Sequence, residues 1–128
     1  MSKNSLEKFI EEVRPIWGPL TSELVAGCSQ HLKELLRAAV AEEWLAALHR
    51  DAPENRELYR DPAHGFVLLA HTEYAGLYRP PHDHGRGWVI YAVQRGEIDM
   101  ATYVRVQTPD GKVRLVKRDA TLVRAGMT

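Results

Sequence analysis

The residues with the clearest chemical potential are two histidines, His82 and His84, which are separated by one residue. On an extended segment, side chains two positions apart point the same way, so both imidazoles can converge on one point in space. Imidazole binds Fe, Ni, Cu and Zn, and it binds Mn where ligands of other types complete the site. Pro80 and Pro81 precede the pair and would hold it stiffly at the rim of a sheet. This spacing favours a metal site, and the alternative is a polar turn with exposed imidazoles.

The residues around this pair resemble the first motif of the cupin superfamily. That motif reads glycine, five residues, His-x-His, four residues, glutamate, six residues and glycine. Gly76 and Gly96 stand at its two glycine positions, and Val89 stands where the motif has glutamate. A non-carboxylate there is a mark of the thiol dioxygenases, the cysteine-dioxygenase-like branch of the cupins. The stretch from Pro80 to Tyr91 also looks like bacterial proteins described as predicted metal-dependent enzymes of the double-stranded β-helix superfamily.

The resemblance covers about residues 65–124 and carries expectations about fold and cofactor. It implies a double-stranded β-helix, or jelly roll, and three histidines on iron(II), with Ni, Mn or Zn as the alternative metals. It also implies O2 and a small thiol or other small organic acid as substrates. The second cupin motif, which supplies the third histidine, is not present in full, so the jelly roll is expected to be incomplete at its C-terminal end.

Six further residues are candidates for the same site. His71 is the local candidate for a third ligand, and His64 is a more distant one. Arg79 and Arg86 flank the motif and would pair with a substrate carboxylate, while Tyr91, with Tyr78 as the alternative, would donate a hydrogen bond to the substrate. The alternative for the arginines is a solvated surface role. No residue can be assigned a catalytic role from the sequence.

Three functions are compatible with these residues. The first is a metal-binding cupin that acts as a non-haem iron dioxygenase. The second is a non-catalytic cupin that binds a small molecule, or a shortened cupin that forms a homodimer by sharing strands through an open sheet edge. The third is an unrelated small α+β domain in which the two histidines belong to a turn.

The chain that must position these residues changes character along its length. Residues 1–60 are predicted to form a helical segment that packs on the barrel, and residues 61–128 a cupin-like β domain, together one structural unit that is mainly β. Asn4 would cap a first helix, with Glu7 completing a capping box, and the helix would end near Arg14. Gly27 is predicted to separate a short helix over residues 21–26 from a longer one that runs to Leu48.

The histidines of the helical segment and the strands after it complete the prediction. His31 and His49 have no carboxylate arrangement in the sequence that would recruit a metal, so we expect them to be solvated or at helix ends. Residues 51–62 are predicted to be an exposed connection. A tight turn is predicted at Thr108-Pro109-Asp110-Gly111. Strands are predicted at residues 66–71, on the approach to Pro80, and at 88–93, 98–107, 112–118 and 121–124.

Composition sets the remaining expectations. Lys plus Arg and Asp plus Glu are balanced at 17 each, so neither nucleic acid nor an anionic membrane is an expected partner. The longest apolar runs fall far short of the roughly 20 residues that span a bilayer. The acidic N-terminal region resembles no signal peptide, which predicts a cytoplasmic protein. The single cysteine, Cys28, cannot form an internal disulfide and is expected to be a small helix residue.

Overall fold

The structure, a computed structural model, describes residues 3–82, 84 and 87–128. Its chain divides into two compact units, Met1–Tyr78 and Arg79–Thr128. The helices of the described residues all lie in the first unit. They are α1 (Ser5–Val13), a 3₁₀ helix (Arg14–Ile16), α2 (Ser22–Leu36) and α3 (Glu43–Asp51). The strands are β1 (Arg56–Arg60) and β2 (Val67–Ala70) in the first unit, and β3 (Glu97–Gln107) and β4 (Val113–Arg124) in the second.

Helix α1 begins and ends where the sequence predicts. The Asn4 side chain accepts a hydrogen bond from the backbone N–H of Glu7 at 2.8 Å, which is the predicted N-cap. The carboxylate of Glu42 also accepts hydrogen bonds here, from the backbone N–H and the hydroxyl of Ser5, each at 2.6 Å. These bonds satisfy N–H groups that a helix start leaves without intrahelical partners. Pro15 lies in the 3₁₀ helix that follows, as expected for a residue that cannot continue an α-helix.

The predicted division of the remaining helices is wrong in two places. Helix α2 runs without interruption through Gly27, because its stability comes from burying Leu24, Cys28 and Leu35 rather than from the propensity of each residue. The predicted long helix ending at Leu48 is instead interrupted between α2 and α3. The interruption places Glu42 at the start of α1, a tertiary contact between residues 37 positions apart that helical periodicity does not reveal.

The first unit has a small mixed core and a two-stranded sheet. The rings of Trp17 and Phe66 lie 4.6 Å apart, centroid to centroid. Strands β1 and β2 pair antiparallel, with an irregular register between Glu57 and Tyr59. The pairing confirms the strand predicted at 66–71. The exposed connection predicted at 51–62 is wrong, because residues 56–60 of that stretch form β1, which pairs with β2. The buried apolar residues of this unit are Phe9, Val13, Leu24, Cys28, Leu35, Leu45 and Phe66.

The second unit contains one long two-stranded ribbon, β3 paired antiparallel with β4. The predicted turn is confirmed, because the N–H of Gly111 donates to the carbonyl of Thr108 at 2.9 Å. The turn predicted near residues 119 and 120 is wrong: β4 continues through it, and the register shift opposite Thr102 and Tyr103 absorbs the extra residue. Most side chains of the ribbon are exposed.

Two other predicted strands are absent from the described residues between β2 and β3. The approach to Pro80 and the run 88–93 have no ladder partner there. Apolar runs of this length do not by themselves distinguish a strand from an irregular segment. Val93 is nevertheless buried, and its backbone exchanges hydrogen bonds with Gly126 and Met127.

The described chain is therefore a mixed α/β protein whose described helices all precede its described strands. About 29% of the described residues are helical and about 26% are in strands, so the expectation of a mainly β chain is wrong. Four described strands in two separate two-stranded sheets do not make a clear jelly roll. None of the described helices has the length and apolar character needed to cross a membrane.

Candidate metal site

The predicted histidine pair lies near the start of the second unit, on a segment that is neither helix nor strand. Both His82 and His84 are exposed. Two successive prolines, Pro80 and Pro81, precede the pair and restrict its backbone, since each fixes its own φ angle. The backbone N–H of Gly87 donates to the carbonyl of His84 at 3.0 Å. Local chain chemistry, rather than burial, therefore positions these imidazoles.

The two rings lie close together. Their centroids lie 5.3 Å apart and their planes are inclined at 81°. With metal–nitrogen bonds of about 2.1 Å, two imidazoles at neighbouring positions of one metal hold their centroids roughly 5 Å apart. The observed separation of His82 and His84 therefore fits two ligands of a single ion.

Hydrogen bonds also orient each ring. The Nδ1 of His82 lies 3.1 Å from the backbone carbonyl of Pro80. A carbonyl only accepts, so Nδ1 carries the proton and Nε2 is the lone-pair nitrogen, which is the arrangement typical of metal-binding histidines. The Nε2 of His84 lies 3.2 Å from the hydroxyl of Tyr91, and this hydrogen bond holds the second ring. A metal at His84 would bind the other ring nitrogen or replace the bond to Tyr91.

The other predicted site residues are distributed over both units. His71 follows β2 in the first unit, is exposed, and has its Nδ1 3.3 Å from the carbonyl of Glu54. Arg79 is exposed at the start of the second unit, and its side chain is not free of partners within the protein. Tyr91 is brought beside His84, as described above. Arg86 lies outside the described residues.

A second group of potential ligands was missed by the sequence prediction. Glu12 of α1 and Glu34 of α2 flank His31, and one ligand atom from each of the three residues lies within 4.8 Å of the others. The expectation that His31 has no suitable carboxylates is therefore wrong. Glu34 lies three residues after His31 on the same helix face, a signal visible in the sequence. Glu12 comes from a separate helix, which only tertiary structure brings near. We call these three residues the α1–α2 cluster.

A third polar group, centred on Asp61, is a structural network. The side chain of Asp61 is fully buried and accepts from the hydroxyl of Tyr59 at 2.6 Å and from the backbone N–H of His64 at 2.7 Å. The Nε of Arg14 lies 3.0 Å from the same carboxylate. The Tyr59 hydrogen bond, with smaller contributions from His64 and Arg14, holds the pKa of Asp61 well below its usual range.

His64 and Cys28 have structural roles in the first unit. The Nδ1 of His64 lies 2.8 Å from the Asp61 carboxylate, which makes His64 a partner of that network. Cys28 is buried in α2, as expected of a small helix residue, and burial raises the pKa of its thiol. A raised pKa lowers the thiolate population that nucleophilic chemistry requires.

Comparison with known proteins adds no relative to this description. The chain matches no family model, and neither a curated protein nor a solved structure is significantly similar to it. The cupin resemblance therefore depends on the sequence pattern between Gly76 and Gly96.

Proposed function

We propose that the chain is a cupin-like metalloprotein in which His82 and His84 bind iron(II), and that it oxidises a small thiol acid with O2. The observation that carries the proposal is the orientation of His82, whose Nδ1 is bonded to the Pro80 carbonyl so that Nε2 is the ligand atom. The 5.3 Å separation of the two rings supports it, because both can serve one ion. The cupin spacing, with Val89 at the position of the motif's glutamate as in the thiol dioxygenases, supports the link to oxidative chemistry.

The role of the metal can be stated in chemical terms. Bound iron(II) would supply the oxidising chemistry, in which a thiol and O2 combine to give the sulfinic acid. Two histidine ligands leave several coordination positions open, which suits a site that admits both substrate and O2. Ni, Mn and Zn are alternative occupants of the same imidazole donors.

The remaining residues of the proposal bind and orient the substrate. The hydroxyl of Tyr91 is at hydrogen-bond distance from His84, so a substrate beside that imidazole would be within its reach. Arg79, three residues before His82, would pair with the substrate carboxylate. Arg86 has the same proposed role on the other side of the motif. A cytoplasmic setting, which is reducing, suits a site that requires iron(II) and a free thiol.

The first test is the iron content of the chain after anaerobic reconstitution with iron(II). We expect near-stoichiometric iron in the native chain and a loss of that iron in His82→Ala/His84→Ala. A matched control, His49→Ala, removes a histidine of α3 that belongs to neither candidate ligand group and should retain it. Far-UV circular dichroism of both variants checks that they fold. Equal iron in His82→Ala/His84→Ala and in His49→Ala would contradict the proposal.

The second test is O2 uptake by the reconstituted chain with small thiol acids. Iron-dependent uptake that disappears in His82→Ala/His84→Ala supports the oxidative function, and Tyr91→Phe should lower uptake while keeping the iron. Specific iron binding without uptake for any thiol acid would favour a non-catalytic cupin.

One observation favours the dimeric alternative specifically. Apolar side chains of the ribbon are exposed at 43% for Val104, 43% for Val106 and 65% for Val113. A two-stranded ribbon with exposed apolar side chains is marginal by itself, and a second copy of the chain could extend it through a strand edge. Light scattering on the samples used for the iron measurement distinguishes a homodimer from a monomer.

A further inference from the structure

The α1–α2 cluster (Glu12, His31 and Glu34) combines one imidazole with two carboxylates from two helices. The Nδ1 of His31 lies 2.8 Å from Oε2 of Glu12 and 3.7 Å from Oε2 of Glu34. An imidazole nitrogen and carboxylate oxygens are ligands that zinc takes in proteins, with bonds of about 2.0–2.2 Å. The three ligand atoms are close enough for small side-chain rotations to place them around one ion.

The imidazole nitrogen of this cluster is a buried atom that lacks a hydrogen bond. Nδ1 of His31 is inaccessible to solvent, and among the described residues it has no hydrogen-bond partner. The 2.8 Å approach of Glu12 is an ion-pair distance, but its direction does not meet the geometry of a hydrogen bond. Buried polar atoms are normally satisfied, so an unsatisfied one at the centre of a ligand group itself points to a missing partner.

The two carboxylates are oriented by neighbours on their own helices. The second oxygen of Glu12, Oε1, lies 3.8 Å from the ammonium of Lys8. The second oxygen of Glu34 accepts a hydrogen bond from the side-chain amide of Gln30 at 3.3 Å. Both carboxylates therefore direct their remaining oxygen, Oε2, towards His31. Outer contacts that orient ligands in this way are typical of metal sites.

There is also space beside these atoms. A cleft of ≈ 80 Å³ lies between α1 and α2, and Glu12, His31 and Glu34 are part of its lining. The remaining lining residues are Ser5, Lys8, Phe9 and Leu35. The two carboxylates would neutralise a divalent cation bound together with a neutral imidazole. The remaining positive charge of the cleft is that of Lys8, whose side chain is 66% exposed to solvent.

We propose that the α1–α2 cluster is a divalent-cation site, with zinc as its best-suited occupant, that links α1 to α2. This site is independent of the one proposed at His82 and His84, because its ligands all lie in the first unit. A cation there would bind the folded helix pair and not the separated helices, so it would stabilise the first unit through mass action.

The test uses a chain that lacks the other proposed site, His82→Ala/His84→Ala. We expect this background protein to bind one Zn²⁺ per chain by calorimetry, and Zn²⁺ to raise its Tm by several degrees, reversibly on addition of a chelator. Adding Glu12→Gln/Glu34→Gln should weaken Zn²⁺ binding by roughly a hundredfold or more, since two charged ligands are lost.

A charge-matched control separates ligand loss from a general change in charge. Glu11→Gln/Glu23→Gln removes one exposed carboxylate from each of the same two helices and should bind Zn²⁺ as the background protein does. Equal affinity in the two double variants, or no saturable binding by the background protein, would overturn the proposal. A zinc-independent Tm would likewise show that His31 and its carboxylates form an ion pair only. Neither result depends on whether His82 and His84 bind iron.

Discussion

The two units of the chain hold their polar groups in opposite ways. In the first unit, Asp61 is buried and fixed by Tyr59, His64 and Arg14. In the second unit, His82 and His84 are exposed, and their orientation comes from adjacent backbone atoms and from a tyrosine seven residues beyond His84. Buried groups are specified by many mutually dependent contacts, whereas exposed groups depend on a few local ones. Substitutions should therefore have large, cooperative effects in the first unit and small, local ones in the second.

The largest expected difference concerns apolar side chains. Leu45 of α3 is 2% exposed, whereas Leu115 of β4 is 47% exposed. Leu45→Ala should destabilise the first unit by about 3 kcal/mol, because it leaves a cavity in a packed core. Leu115→Ala should cost less than about 1 kcal/mol, because little area is lost from a residue that is already half exposed.

Urea unfolding monitored at 222 nm measures the first of these costs, since all three α-helices of the described chain are in the first unit. Hydrogen exchange of ribbon amides measures the second. Similar costs for the two leucines would show that the ribbon is covered in solution, for example by a second copy of the chain.

The next effect concerns the buried carboxylate. Asp61→Asn should lower the Tm at pH 7 by roughly 10 °C, because charge-assisted hydrogen bonds inside the unit are lost. Folding lowers the pKa of Asp61, so the native carboxylate binds a proton less readily than the unfolded one. Its contribution is therefore present above the unfolded pKa of about 3.9 and is lost as the pH falls towards the folded pKa.

A pH series of thermal melts checks this sign. The Tm difference between the native chain and Asp61→Asn should be full at pH 7 and should narrow below about pH 4. Asp99→Asn, which changes an exposed carboxylate of β3, serves as the control and should shift the Tm little at any pH. A Tm difference between the native chain and Asp61→Asn that widens in acid would contradict a lowered pKa of Asp61.

The smallest expected effect on stability comes from replacing one glycine by alanine in each unit. Gly27→Ala should stabilise α2 by about 0.5–1 kcal/mol, because alanine has the higher helix propensity. The new Cβ would lie 2.9 Å from the end of the Ile16 side chain, which is 40% exposed and free to rotate away. Gly111→Ala should instead cost about 1 kcal/mol, since Gly111 has a φ of 82°.

The two glycine variants are compared by urea unfolding for α2 and by hydrogen exchange for the ribbon. Opposite signs are the expected result. A loss of stability in Gly27→Ala would show that Ile16 is held rigidly against α2 and that the helix requires glycine at this position.

Features encoded by neighbouring residues were predictable from the sequence. The cap of α1 by Asn4 and the turn closed by Gly111 involve atoms three residues apart, and both are found where predicted. Strand β3 follows from its alternating pattern. The placement of His82 and His84 on a proline-stiffened segment is likewise local, which is why the sequence alone points to that pair.

Features that join distant residues were decided by the tertiary structure. The α1–α2 cluster requires Glu12 to meet His31 across two helices, and the Asp61 network requires Arg14 to reach a residue far along the chain. The break between α2 and α3 has the same origin, because Glu42 leaves the helix to cap α1. Periodicity records which face of an element is apolar, but it carries no information about which elements meet. The sequence by itself therefore determined the local elements and the histidine pair, and packing decided which charged groups are brought together.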